Sequence, residues 1–124
     1  MKIKNNPFAD VPENSMDLLA QKAQRFLIEK IRVPEHMGIT IRVTKDRGRY
    51  YVTEWRVGEQ AFRGGIENTS IARISPLKGR SGKWLLAWMR RDQKWHNLPA
   101  DIYSGTFDEC LRIIVEDPYG VFWG

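Results

Sequence analysis

The chain is 124 residues long, 42% hydrophobic and 28% charged, with five tryptophans and a formal net charge of +5. That is one ordinary domain, long enough to bury a core without staples and too apolar to be disordered. A single cysteine excludes an internal disulfide and points to a reducing cytoplasm, and no apolar run reaches the roughly 18 residues of a membrane helix or forms a signal peptide.

Residues 1–14 are polar, with Pro7 and Pro12, and read as an irregular arm that Phe8 and Val11 can pin to the body; residues 15–124 read as a single α+β domain. A helix follows the arm. Asn14 or Ser15 can cap it, Asp17 falls in its first turn, and Leu19, Ala23, Phe26, Leu27 and Ile31 recur on one face. Pro34 stops it near Arg32.

The period then switches from 3.6 to 2. Ile39, Ile41 and Val43 alternate with Thr40, Arg42 and Thr44, which predicts a half-buried strand. Residues 45–49 predict a hairpin turn around Gly48, and Tyr50 to Val57 a second strand. Residues 58–70 are expected to form the longest loop, made flexible by Gly64 and Gly65 and so the best place for a moving or ligand-touching element. Ile71–Leu77 and Lys83–Arg90 read as third and fourth strands, and Lys94–Leu98 as a short fifth. Thr106 and Glu109 have capping-box spacing at the start of a second helix, whose buried stripe is Phe107, Cys110, Leu111 and Ile114. Asp117-Pro118 ends it, and the tail Y-G-V-F-W-G is aromatic enough to be docked. The expected fold is α+β: an N-terminal helix, a four- to five-stranded antiparallel meander, a C-terminal helix and a docked aromatic tail.

The stretch S-G-K-W-L-L-A-W-M-R-R-D-Q-K-W-H (81–96) holds three tryptophans and five basic side chains. G-R-S-G-K (79–83) is no phosphate-binding loop, because two residues rather than four separate its glycines and Trp84 follows the lysine. The strand within it is apolar on both sides: Trp84, Leu86 and Trp88 on one, Leu85, Ala87 and Met89 on the other. Such a strand is normally covered on both faces. The arm and the 58–70 loop can supply the second cover, or a ligand or a homodimer can, the latter with Trp84, Leu86 and Trp88 at the subunit interface.

Charge is uneven. Lys78, Arg80, Lys83, Arg90, Arg91 and Lys94 stand against Asp92, while residues from Asn97 onward are net negative. Arg80, Lys83, Arg90, Arg91 and Lys94 are therefore candidate nucleic-acid contacts, with the indole of Trp88 or Trp95 to stack on a base. The bland reading of the same residues is a pair of solvated hairpin tips. The α–strands–α order is similar to that of double-stranded-RNA-binding modules, without their characteristic loop residues.

His36, His96 and Cys110 lack the spacing of a structural zinc site, and no nucleophile accompanies His96. Cys110 lies on the buried helical stripe, and the acidic pairs Asp108-Glu109 and Glu116-Asp117 mark a helix start and a helix stop. Neither catalytic residues nor a cofactor nor a metal is expected.

The segments I-R-V-P-E-H (31–36), I-A-R-I (71–74), W-L-L-A-W-M-R-R-D-Q-K-W-H (84–96) and D-P-Y-G-V-F-W-G (117–124), with the strand at 50–57, resemble a bacterial family known only as domain of unknown function 3024. The likeness spreads over residues 16–124, but the 58–70 loop departs from the Pro- and Trp-containing segment of the family. It implies a shared aromatic core and no activity or site residue, since the family has none assigned. The sequence thus reads as a cytoplasmic, non-enzymatic binding or self-associating module. The alternatives are a nucleic-acid-binding module using the 78–94 region and, more weakly, an enzyme using His96.

Overall fold

The computed structural model describes residues 8, 11, 16–99 and 104–123. Helix α1 (Leu18–Ile31) precedes strands β1 (Ile39–Asp46), β2 (Arg49–Val57), β3 (Ile66–Pro76), β4 (Trp84–Met89), β5 (Trp95–Asn97) and β6 (Ser104–Gly105), and helix α2 (Phe107–Glu116) follows. The strands make one antiparallel sheet in the order β1-β2-β3-β4-β5, with β6 also pairing β4. This is the expected α+β meander.

Asp17 is the cap of α1: its carboxylate accepts the Ala20 N–H at 3.0 Å. Asn14 and Ser15, the caps expected from sequence, lie outside the described residues. The same carboxylate accepts the Tyr50 hydroxyl at 3.0 Å and Lys45 Nζ at 3.3 Å, so the helix start is tied to the first hairpin. That hairpin turns on two residues, Arg47 and Gly48, both at positive φ (54° and 81°). This is the turn whose twist matches paired strands, and glycine takes its second position without strain.

The loop expected over residues 58–70 is shorter. Short 3₁₀ turns occupy Gly58–Gln60 and Phe62–Gly64, and β3 begins at Ile66. Residues 66–69 are exposed, so no apolar alternation announces them as strand. A register shift between Val52 and Thr53 leaves Ile71 as the extra residue of β3, a β-bulge that turns its side chain into the core.

Residues paired across an antiparallel ladder share a face. One face carries Ile41 and Val43 from β1, Tyr50 and Val52 from β2, Ala72 and Ile74 from β3, and Leu86 from β4. All seven belong to one buried cluster with Ala20, Ala23 and Leu27 of α1 and Phe107, Cys110, Leu111 and Ile114 of α2. The tail closes this layer. Asp117, in the left-handed region, accepts the N–H groups of Val121, Phe122 and Trp123 at 2.8, 3.1 and 3.0 Å. Trp123 Nε1 donates to the Ile114 carbonyl at 2.7 Å, and Phe122 is buried. Of the arm, Val11 is buried outside this cluster and Phe8 is half-buried.

Candidate functional site: the helix-free face of the sheet

Ladder register also fixes what stands on the other side. Thr44, Tyr51, Arg73, Ala87 and Asn97 form one rung across β1 to β5. Along the strands, Arg42, Thr53, Trp55, Ser75, Leu85, Met89 and Trp95 share that face by alternation. None of these residues belongs to the cluster that joins helices to sheet. Among the described residues, no α-helix covers this face; the 3₁₀ turn Glu35–Met37 meets its β1 edge, where Glu35 accepts from the buried Thr40 hydroxyl at 3.0 Å.

Its centre is an arginine without an acidic partner. Arg73 Nη2 donates to Asn97 Oδ1 at 3.2 Å. Arg73 and Asn97 flank Ala87 on the rung, so the bond passes over that methyl group and explains why Ala87 is only 1% exposed. The guanidinium lies 5.4 Å from the centre of the Trp95 ring, a cation–π distance, and the Tyr51 ring sits 5.9 Å from Trp95. Burial, and then the charge of Arg49, lower the pKa of Arg73. No carboxylate forms an ion pair with it among the described residues. Among the described residues, Arg73 Nε and Ser75 Oγ are both buried without a hydrogen-bond partner.

Cations outnumber anions on the face. Arg42, Arg49 and Arg73 stand on it, against Asp46 opposite Arg49 and Glu35, which accepts from the Thr40 hydroxyl at 3.0 Å beside Arg42. Tyr51, Trp55 and Trp95 supply aromatic surface, each half-buried. Of these residues sequence reasoning named only Trp95, as a stacking indole beside the basic turn. The signal was present in residues 49–56, R-Y-Y-V-T-E-W-R, whose odd positions from Arg49 carry an arginine and two aromatics on one side of a strand.

The residues expected to contact nucleic acid fall in two groups. Arg80 and Lys83 sit at the β3–β4 turn, and Arg90, Arg91 and Lys94 at the β4–β5 turn. Six residues of β4, about 20 Å, separate the two turns. Arg90 stacks on Trp88 at 5.5 Å, and Arg91 and Lys94 are exposed. The three residues expected at a subunit interface lie on the helix-covered side. Leu86 is 0% exposed. Trp84 packs edge-on against Tyr50 and Phe107, at 5.7 and 5.2 Å. Trp88 packs against the same core. The cover for that side of β4 is α2 and the chain's own aromatics.

His96 stands beside Trp88, and its Nε2 is 2.9 Å from Asp92 Oδ2. Asp92 also accepts the Lys94 N–H, and the histidine contact first, then this bond, lower its pKa. The pair closes a β-turn, and among the described residues no Ser or Cys is bonded to it. Cys110 is buried with its Sγ 3.7 Å from the Trp84 carbonyl, and burial pushes its thiol up to about 12. A neutral thiol of that kind is no nucleophile. No group of three or more His, Cys, Asp or Glu side chains is placed to hold a metal ion among the described residues. No helix is long and apolar enough to cross a membrane, among those residues. A groove of 640 Å³ beside α1 is lined by Gln21, Gln24, Arg25, Ile28, Glu29 and Glu35. Gln24 is committed there, accepting the Val43 N–H on the β1 edge at 3.0 Å.

Comparison with known proteins gives a match to one family model, described as Domain of unknown function (DUF3024), over residues 11–124. No curated protein and no solved structure matches.

Proposed function

The chain belongs to this family, whose description assigns no activity, and from that premise we propose that it is a binding module that holds single-stranded nucleic acid on the helix-free face of its sheet. The observation that carries this reading is the juxtaposition on one face of three arginines with Tyr51, Trp55 and Trp95, against the carboxylates of Asp46 and of Glu35, which meets the face at Thr40. Arginines track phosphates, and every base has a π-face that an aromatic ring accepts. Unstacked bases of a single strand reach such a platform, whereas a base pair keeps its faces occupied. The turn residues Arg80, Lys83, Arg90, Arg91 and Lys94 then add long-range attraction at both ends of β4 rather than the contact surface itself.

Self-association through this face is disfavoured by its charge. A twofold mate would bring one net-positive face against its copy, and like charges brought together at an interface are unfavourable. Among the described residues, the His96–Asp92 pair has no bonded nucleophile to carry an enzymatic reading.

The test is fluorescence anisotropy with labelled single-stranded DNA and RNA of random sequence across a salt series. Three phosphate contacts predict a slope of log K against log salt of about −2, since each contributes about −0.7 on a single strand. Trp95→Ala should weaken binding at least about fivefold, the lower end of one stacked base. Binding with no salt dependence, or unchanged by Trp95→Ala, contradicts the proposal.

A further inference from the structure

Arg80 and Lys83 belong to a turn that the aromatic platform leaves out. Residues 77–83 fold back on themselves through three backbone bonds. Leu77 N–H donates to the Lys83 carbonyl at 2.9 Å, Arg80 N–H to that of Leu77 at 3.2 Å and Lys83 N–H to that of Arg80 at 3.1 Å. Gly79 and Gly82 take positive φ values of 76° and 77°, and a side chain at either would meet nothing within 4 Å. The turn is thus pinned in shape and open to solvent. Beside it lies a cavity of 450 Å³, within the range of small-ligand sites. Pro76, Leu77 and Trp84 form its apolar wall, and Arg80, Ser81 and Lys83 its polar one. Arg80 is exposed and Lys83 half-buried, so a ligand reaches both.

The polar groups of this cavity are donors. No acidic side chain lines it, and neither Arg80 nor Lys83 forms an ion pair among the described residues. Glu109, which feels the charge of Lys83, is bonded through its carboxylate to the Thr106 N–H at 2.8 Å. The N–H groups of Lys78, Gly79, Ser81 and Gly82 have no backbone acceptor among the described residues. Topology adds charge. An antiparallel meander puts its first and third turns at one end of the sheet, so Arg47 and Arg49, with Asp46, stand at the same end as Arg80 and Lys83. Two cations, free N–H donors and an apolar wall match a dianion carried on an apolar or planar group.

We infer that this turn is a pocket for the terminal phosphate of a nucleotide, its monoester held by Arg80 and Lys83 and its sugar and base by the apolar wall. A phosphate monoester carries about two charges at neutral pH, whereas an internal phosphodiester carries about one. The pocket is not a phosphate-binding loop of the helical kind, because β4 rather than a helix follows Lys83. Lys83 is two residues from Leu85 and so on the helix-free side, while Pro76 and Trp84 pair on the helix-covered side. The cavity therefore wraps the rim where the helix-free face ends. The phosphate comes either from the end of a bound strand, which rests on the strand-binding reading, or from a free mononucleotide, which does not. A strand with hydroxyl ends leaves the pocket empty, and Arg80 and Lys83 then act on it at long range only.

The probe is thymidine 5′-monophosphate, titrated against the whole protein at constant ionic strength set by chloride. The amide resonances of Gly79, Ser81 and Gly82 and the Trp84 indole are followed by NMR. The expected result is a saturable shift of these signals that thymidine does not produce. Arg80→Gln and Lys83→Gln should each weaken it about tenfold, the loss of one charge-assisted hydrogen bond. Both positions lie on a turn outside the core cluster, and a native amide spectrum of each variant guards against misfolding as the cause. Shifts that are linear, equal for thymidine and its phosphate, or indifferent to both substitutions overturn the pocket. Oligothymidylates with hydroxyl ends, or phosphorylated at the 5′ or the 3′ end, identify the source. Binding about tenfold tighter on phosphorylation, with the gain lost in Arg80→Gln, assigns the pocket to a strand end. Saturable nucleotide binding without that gain assigns it to a free nucleotide. If in addition no oligothymidylate binds, the strand-binding reading falls and the pocket stands. Oligothymidylate binding that ignores end phosphorylation, with no saturable nucleotide shift, does the reverse.

Discussion

Ala87 shows how one small residue organises the face. It sits between Arg73 and Asn97 on their rung, and their 3.2 Å hydrogen bond runs over it. A larger side chain there would lift the guanidinium off Trp95. Ala87→Leu should therefore cost about 1–3 kcal/mol by overpacking and weaken oligonucleotide binding beyond what that loss of stability explains, with thermal melting and anisotropy read on the same sample. Asp17 carries a structural load of comparable weight. Its carboxylate accepts from Ala20 N–H, Tyr50 hydroxyl and Lys45 Nζ. These bonds, the Ala20 one foremost, lower its pKa against the opposing effect of burial. A depressed carboxylate contributes stability that is present above its unfolded pKa, near 4, and is lost as pH falls through the folded value. Asp17→Ala should thus cost about 2 kcal/mol at neutral pH and less at pH 3, the two unfolding curves converging on acidification. A cost independent of pH would contradict the assignment. From sequence, Asp17 was legible only as a first-turn acid. Choosing among neighbouring capping residues needs the strand against which the helix docks, and Tyr50 and Lys45 are 33 and 28 residues away.

Elements were legible where one face meets water and the other meets the core. The alternation of residues 39–44 and the capping box of Thr106 and Glu109 both stand as read, the latter with bonds of 2.8 and 3.1 Å. Residues 66–69 were not legible, because that end of the β2–β3 hairpin is exposed and carries no pattern. Strand β6 is two residues long, too short for any period, and its Gly105 is set by close packing: a methyl group there would come 2.5 Å from Glu109 Oε1. The docked tail was legible from its aromatics, but its fastening by Asp117 was not, since the residue reads from sequence as a helix stop. Asp117→Ala removes the acceptor of three N–H groups and should lower stability by about 2–3 kcal/mol. Removal of residues 119–124 should cost more, about 4 kcal/mol, by also exposing the core beneath Phe122 and Trp123. A melting temperature unchanged by either variant would contradict the docking.

At the scale of the molecule, the sheet divides labour between its sides. The helix-covered side takes Trp84, Leu86 and Trp88 into the core. The other side keeps Arg42, Arg49 and Arg73 beside Tyr51, Trp55 and Trp95. Sequence reasoning recognised that β4 is apolar on both sides but had no means of telling which side the helices take. That choice depends on the pairing of β4 with β3, which places Leu86 opposite Ile74 and Ala87 opposite Arg73. It also grouped basic residues by sequence proximity, whereas an antiparallel meander sends successive turns to opposite ends of the sheet. The central claim is that the helix-free face is the working surface. The most direct measurement is amide and indole chemical-shift mapping during titration with an oligothymidylate of about eight nucleotides, a length within the range one small domain covers. The account predicts shifts confined to residues 42–44, 49–55, 73–75 and 95–97 and to the Trp55 and Trp95 indoles, with α1 and α2 silent. Shifts centred on the helices, or on the β3–β4 and β4–β5 turns with the face unmoved, would contradict it.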